Sequence, residues 1–253
     1  MNNDTDLAAE GTETSVLFTM TDMLRFRATT KDASFPLTEL FFDPEQGLLR
    51  YVALDVGGWF DRREVIVSAK LIGVPDLTSR EVPVEITPEA CKQAPEWTNP
   101  DALMVVPIAM MPPIMIGPYG GRFAGQTRRK ADETADPQHP GNLKVDGFAR
   151  LNDWVGLPVH GKDGEVGTLV DLVIEPDCHL LSHLIIDTGG FFAARKLVVP
   201  YDLLLGLAAD SNHVDMNLTA QLLHDSPPLE QFDRINRTWL DSLRAYYQLT
   251  PRL

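Results

Sequence analysis

Cysteine is nearly absent: Cys91 and Cys178 are the two in 253 residues. One pair cannot staple a small secreted fold, so nothing here demands an oxidising compartment. Basic residues are scarce as well, with 22 Lys and Arg against 36 Asp and Glu and a formal net charge of −14. A surface that grips phosphate backbones needs the opposite balance, and anionic lipid exerts no pull on this one. Long apolar runs are missing. The longest, Ala102–Gly117, is shorter than a bilayer span and is interrupted by Pro107, Pro112 and Pro113, each of which removes a backbone donor. Residues 1–10 have neither the basic start nor the apolar core of a signal peptide. The expectation is a cytoplasmic, acidic protein with no transmembrane segment and with nucleic acid disfavoured as a partner.

Motifs that announce chemistry are missing too. There is no G-x-S-x-G elbow, and Cys91 has no histidine beside it in sequence. No phosphate-cradling glycine loop follows a strand; Gly117–Gly121 is interrupted by Pro118. Cys178, His179 and His183 offer metal-ligating atoms, but the second pair that a structural zinc site needs is lacking. Arg122 and Arg128–Lys130 form the one basic cluster, read as solvated linker charge. Asp55 and Asp187 each precede a Gly-Gly pair, where an aspartate ordinarily bonds nearby backbone amides. No catalytic residue, metal ligand or cofactor is expected, and the chain reads as a non-enzyme.

What is present is ordinary globular composition, 44% hydrophobic and 23% charged, organised by a repeat. Leu40–Leu49 aligns with Leu172–Leu181, and Val52–Phe60 with Leu184–Phe192, at an offset of 132 residues. The alignment runs without a gap from Leu40 to Trp97, with 15 identities in 58 positions. Unrelated segments would give about three or four, so the chain holds two copies of one module. The boundaries read 18–97 and 150–229, with a Met/Pro-rich arm and polar linker over 98–149.

Within each copy the pattern is β. Arg50–Asp55 and His183–Asp187 are apolar and rich in β-branched residues, and each leads into Gly-Gly, which permits the positive φ of a tight hairpin turn. Second runs follow at Glu64–Ser68 and Lys196–Pro200, and Lys162–Gly164 marks a further hairpin. Thr87 and Thr219 suit the N-caps of short closing helices, with Pro88 in a first turn. Modules of this length and pattern fit small barrels, whose curled sheets hide their edges. At the end of the second copy and beyond it, Leu229, Phe232, Ile235, Trp239, Leu243 and Tyr246 fall at helical spacing and predict an amphipathic C-terminal helix over 230–253.

The second copy carries Val155–Val159, Gly164–Asp171 with its G-x-V pattern, Ser182–Asp187, and Leu197–Tyr201 with its Val-Pro step. In this order they resemble the PRC-barrel family, whose members include the cytoplasmic domain of the photosynthetic reaction-centre H subunit and the C-terminal domain of a ribosome-maturation factor. The first copy departs from the pattern, with no glycine near Met23–Arg25 and Ser68 where the second has Pro200. The resemblance implies a mainly β chain of two small PRC-type barrels in tandem. It also implies an assembly or regulatory module that docks on other proteins, with no catalytic residue set.

The aromatic pairs Trp59-Phe60 and Phe191-Phe192 follow the two Gly-Gly turns. They are candidates for covering a barrel mouth and, second, for anchoring a partner chain, with the repeated Arg63 and Arg195 beside them. The reading is a non-enzymatic binding or assembly scaffold for protein partners, acting on a photosynthetic or other membrane-bound complex. The C-terminal helix and the Met/Pro-rich arm offer means of homodimerisation. The alternative is an RNA-processing or ribosome-assembly cofactor.

Overall fold

In a computed structural model of the chain, the described residues are 18–58, 62–94, 148–175, 179–189, 195–208, 212–227, 229 and 237–249, with the backbone of 106–107 and 142–143. The first half runs β1 (Phe18–Thr19), α1 (Met20–Met23), β2 (Arg27–Thr29), β3 (Ser34–Asp43), β4 (Leu48–Asp55), β5 (Glu64–Ser68), a 3-10 turn (Ala69–Leu71), β6 (Glu81–Pro83) and α2 (Pro88–Gln93). A two-stranded ladder of β7 (Val106–Pro107) and β8 (Asn142–Leu143) stands apart. The second half repeats the order: β9 (Ala149–Arg150), α3 (Leu151–Trp154), β10 (Pro158–Gly161), β11 (Gly164–Glu175), β12 (Leu180–Asp187), β13 (Lys196–Pro200), a 3-10 turn (Tyr201–Leu203), β14 (Leu204–Leu207), β15 (Val214–Met216) and α4 (Ala220–His224). The chain is mainly β, as expected from the sequence.

The repeat governs the hydrogen bonding residue by residue. Leu37, Glu39, Leu40, Phe41, Phe42 and Asp43 of β3 pair with β4 in the same register in which Leu169, Asp171, Leu172, Val173, Ile174 and Glu175 of β11 pair with β12. Both ladders shift register at the same two places, so that Thr38 and Val170 are the extra residues of equivalent bulges. β5 and β13 add to the far side of these hairpins, and β2–β6 and β10–β15 pair in parallel. Past β13 the chain turns through Tyr201–Leu203 into β14, which pairs with β15. The sheet of that half therefore curls back toward its own beginning.

The two halves share one sheet. Leu48 of β4 pairs with Leu180 of β12, and these residues are each other's counterparts in the repeat. The Leu49 amide donates to the His179 carbonyl (2.9 Å) and the Leu181 amide to the Gly47 carbonyl (2.7 Å), so the contact has local two-fold symmetry. The opening strands are exchanged: β1 pairs with β11 of the other half, Phe18 opposite Ile174, while β9 pairs with β3, Ala149 opposite Phe42. One apolar core spans both halves, including Phe42, Leu40 and Leu54 from the first and Leu169, Leu172 and Leu184 from the second. Trp154 meets Phe42 edge-on across the halves at 5.1 Å between ring centroids. Each such fully buried side chain contributes about 1.5–3 kcal/mol by burial.

Two sequence expectations change in detail. The Gly-Gly segments are not tight hairpin turns, because β4 ends at Asp55 and β5 begins only at Glu64. Neither Gly57 nor Gly58 adopts a positive φ, whereas Gly189 of the second pair does, at 55°. The C-terminal helix, α5 (Arg237–Tyr246), does form, but its apolar face is covered by its own chain. Leu240, Leu243 and the following Tyr247 are buried in the common core, the Tyr246 hydroxyl donates to the Leu222 carbonyl (2.9 Å), and Arg244 forms an ion pair with Asp202. The argument that it needs a second copy to cover it therefore falls away. The Met/Pro-rich arm lies almost wholly outside the described residues.

Candidate interaction sites

Trp59, Phe60, Phe191 and Phe192 lie outside the described residues; the frame that presents them is described. In the first half the Asp55 carboxylate accepts from the Gly57 amide (3.0 Å) and the Arg63 amide (3.1 Å), and the Val56 amide donates to the Arg63 carbonyl (2.8 Å). In the second, Asp187 accepts from the Gly189 amide (2.9 Å), the Thr188 amide donates to the Arg195 carbonyl (3.0 Å), and the Arg195 amide donates back to the Thr188 hydroxyl (3.3 Å). Asp55 and Asp187 are thus turn residues, as the sequence suggested, and each loop is pinned at its neck by counterpart residues. The Arg195 guanidinium turns inward. It donates to the carbonyls of Ser226 (3.1 Å) and His224 (3.5 Å), where a cation also complements the C-terminal end of α4.

The two buried carboxylates have reciprocal tasks. Asp171 of β11 accepts from the Thr21 amide (3.1 Å), from the Thr21 hydroxyl and from the Leu172 amide (2.8 Å). Its counterpart Glu39 of β3 accepts from the Asn152 amide (3.3 Å), the Asn152 side-chain amide (3.0 Å) and the Leu40 amide (3.0 Å). Each half therefore caps the opening helical turn of the other, α1 by Asp171 and α3 by Glu39. Burial raises both carboxyl pKa values above the ordinary range, and the hydrogen bonds oppose that shift. Sequence reasoning missed this task. The available signal was a carboxylate at one repeated position inside two apolar runs.

His179 and His183 do not converge. His183 is buried in the middle of β12, while His179 stands in the β11–β12 turn with its ring donating to the Ile72 carbonyl. Burial lowers the His179 pKa, favouring the neutral ring. Among the described residues no group of three or more His, Cys, Asp or Glu side chains is arranged to hold a metal ion; Cys178 lies outside them. Cys91 is buried on α2, and burial pushes its thiol pKa up, away from a reactive thiolate.

His179 and its counterpart Gly47 both have positive φ, 53° and 62°. A Cβ at Gly47 would stand 2.9 Å from the Tyr201 ring, whose hydroxyl donates to the Pro44 carbonyl (3.1 Å). Glycine is needed there by both the backbone and the ring above it. The counterpart of Tyr201 is Ala69, so the bulky residues occupy opposite corners of the local two-fold.

The carboxylates Asp55, Asp187, Glu39 and Asp171 are all tied to backbone amides of a curled, mainly β sheet. Residues 146–222 match the PRC-barrel domain family. No curated protein is significantly similar to the chain. Among the described residues no helix is long and apolar enough to cross a membrane.

Proposed function

We propose that the chain is a non-enzymatic scaffold of two PRC-barrels in tandem, 18–97 and 150–229. It assembles or regulates a membrane-bound complex, photosynthetic or other, from the cytoplasmic side. The observation that supports this most is the use of the conspicuous charged groups. Asp55, Asp187, Glu39, Asp171 and Arg195 are each engaged with backbone groups of the chain itself, whereas acid–base chemistry needs carboxyls facing a substrate cleft. The family match over 146–222 supports a docking role, and the net charge of −14 favours protein over nucleic acid as partner.

Affinity capture of the tagged full chain from its native cells, with protein identification by mass spectrometry, tests the reading. Subunits of a membrane-bound complex are the expected catch. Enrichment of ribosomal particles, lost steeply as salt rises, would instead favour the ribosome-assembly alternative.

A further inference from the structure

Among the described residues four large apolar side chains stand exposed: Val74 (58%), Leu77 (40%), Leu205 (68%) and Leu207 (37%). Scattered single leucines on a surface need no explanation, but these four are not scattered. They fall in one element that occurs twice, between the 3-10 turn and the last short strand of each half. The equivalence is structural: Ile72 bridges Val84 as Leu204 pairs with Met216, and the Asp76 amide donates to the Glu81 carbonyl (2.8 Å) as the Ala208 amide does to the His213 carbonyl (2.9 Å). In the second half this element, β14, is the terminal strand at one end of the sheet; in the first it flanks β6, which lies at the other end. The side chains themselves differ, since Val74 stands where the second half has Gly206. What both copies retain is apolar area at that edge.

We propose that these two patches are equivalent docking sites for basic, apolar segments of a partner protein, so that one chain binds two such segments at opposite ends of its sheet. The charge around them decides the occupant. Residues 72–85 carry Asp76, Glu81 and Glu85 against Arg80, and beside β14 stand Asp215 and Asp202, the latter ion-paired with Arg244. A second copy, itself at −14, is repelled, whereas Lys or Arg beside the apolar anchors is attracted. Recognition is through side chains rather than by adding a flat strand, because the register of β14 breaks between Leu204 and Gly206 and Gly206 adopts φ +132°.

This inference rests on the scaffold reading, and the two can fail separately. Titration of the full chain by calorimetry with an end-capped peptide of alternating Lys and Leu is expected to show two sites. The pairs Leu205→Ser with Leu207→Ser, or Val74→Ser with Leu77→Ser, should each leave one site, and all four together should weaken binding at least tenfold with an unchanged melting temperature. The same peptide with Glu for Lys should not bind. A single site, binding unaffected by the four substitutions, equal binding of the Glu peptide, or concentration-dependent doubling of the free chain's mass would overturn the proposal. In capture from native cells, a partner retained equally by the quadruple variant sinks this inference and leaves the scaffold standing. No partner retained by the wild type sinks the scaffold reading itself.

Discussion

Thr21 and Asp171, 150 residues apart in sequence, are joined by two hydrogen bonds, from the Thr21 amide and from its hydroxyl, to one carboxylate. Glu39 and Asn152 repeat the arrangement in the opposite direction. Each half thus completes the other, and the molecule is expected to unfold in one transition with equal calorimetric and van't Hoff enthalpies. Asp171→Ala removes the acceptor of three donors and should cost about 2 kcal/mol, lowering the single midpoint without splitting it. Differential scanning calorimetry that resolved two transitions, only one of them moved by Asp171→Ala, would count against mutual completion.

The same carboxylates set a pH dependence. Burial raises their native pKa values above the ordinary 4.5 for Glu39 and 3.8 for Asp171. The native state then binds protons more tightly than the unfolded chain. Their contribution is complete below the ordinary values and is lost as pH rises through the raised native ones. Lowering the pH from 7 toward those ordinary values should raise the melting temperature of the wild type more, or lower it less, than that of the Glu39→Gln, Asp171→Asn double variant. Equal shifts for the two proteins would refute it; the comparison removes the general relief of self-repulsion in a chain carrying −14.

Gly167 illustrates close approach of backbone to backbone. A Cβ there would stand 2.4 Å from the Asp187 carbonyl oxygen and 2.9 Å from the Ile186 side chain, at φ +155°. Gly167→Ala must push β11 off β12 and should cost roughly 3 kcal/mol or more. Gly58→Ala, with nothing within 4 Å of the added carbon, should lie within about 0.5 kcal/mol of the wild type. Urea unfolding of the two variants side by side measures the difference.

The C-terminal helix gives an alkaline signature. Burial pushes the Tyr247 pKa up to about 12 from its ordinary 10.0. The native state keeps the phenol protonated where the unfolded chain ionises it, so its stabilisation is whole below pH 10 and disappears toward 12. Loss of stability across that range should shrink in Tyr247→Phe. Leu243→Ala should cost about 2–5 kcal/mol at any pH in the range. Phenolate absorbance followed with the unfolding midpoint tests both.

Much of the fold was legible because the repeat is periodic on the scale of a strand. Arg50–Asp55 pairs with Glu64–Ser68, His183–Asp187 with Lys196–Pro200, and the strands flanking Lys162–Gly164 with each other, as read, and Thr87 and Thr219 cap their helices as read, each accepting an amide at 3.2 Å. The exchange of β1 and β9 was not legible. A two-residue strand has no period, and pairing between halves leaves no local trace at Phe18 or Ala149. The bulges at Thr38 and Val170 were hidden for a related reason: they let neighbouring residues such as Glu39 and Leu40 both be buried, which blurs the alternation. The four aromatic candidates, Trp59, Phe60, Phe191 and Phe192, lie outside the described residues; of the site proposed from the sequence, the necks formed by Asp55, Arg63, Asp187 and Arg195 are seen.

The corner where Gly47 lies beneath Tyr201 has a consequence for fidelity of assembly. Two first halves brought together about the same axis would set glycine opposite alanine and leave a hollow. Two second halves would force a side chain at His179 into the mate's Tyr201 ring, where even a single methyl carbon lacks room. Like therefore rejects like, and each half is keyed to a dissimilar mate, which disfavours pairing of two first halves or of two second halves from neighbouring molecules.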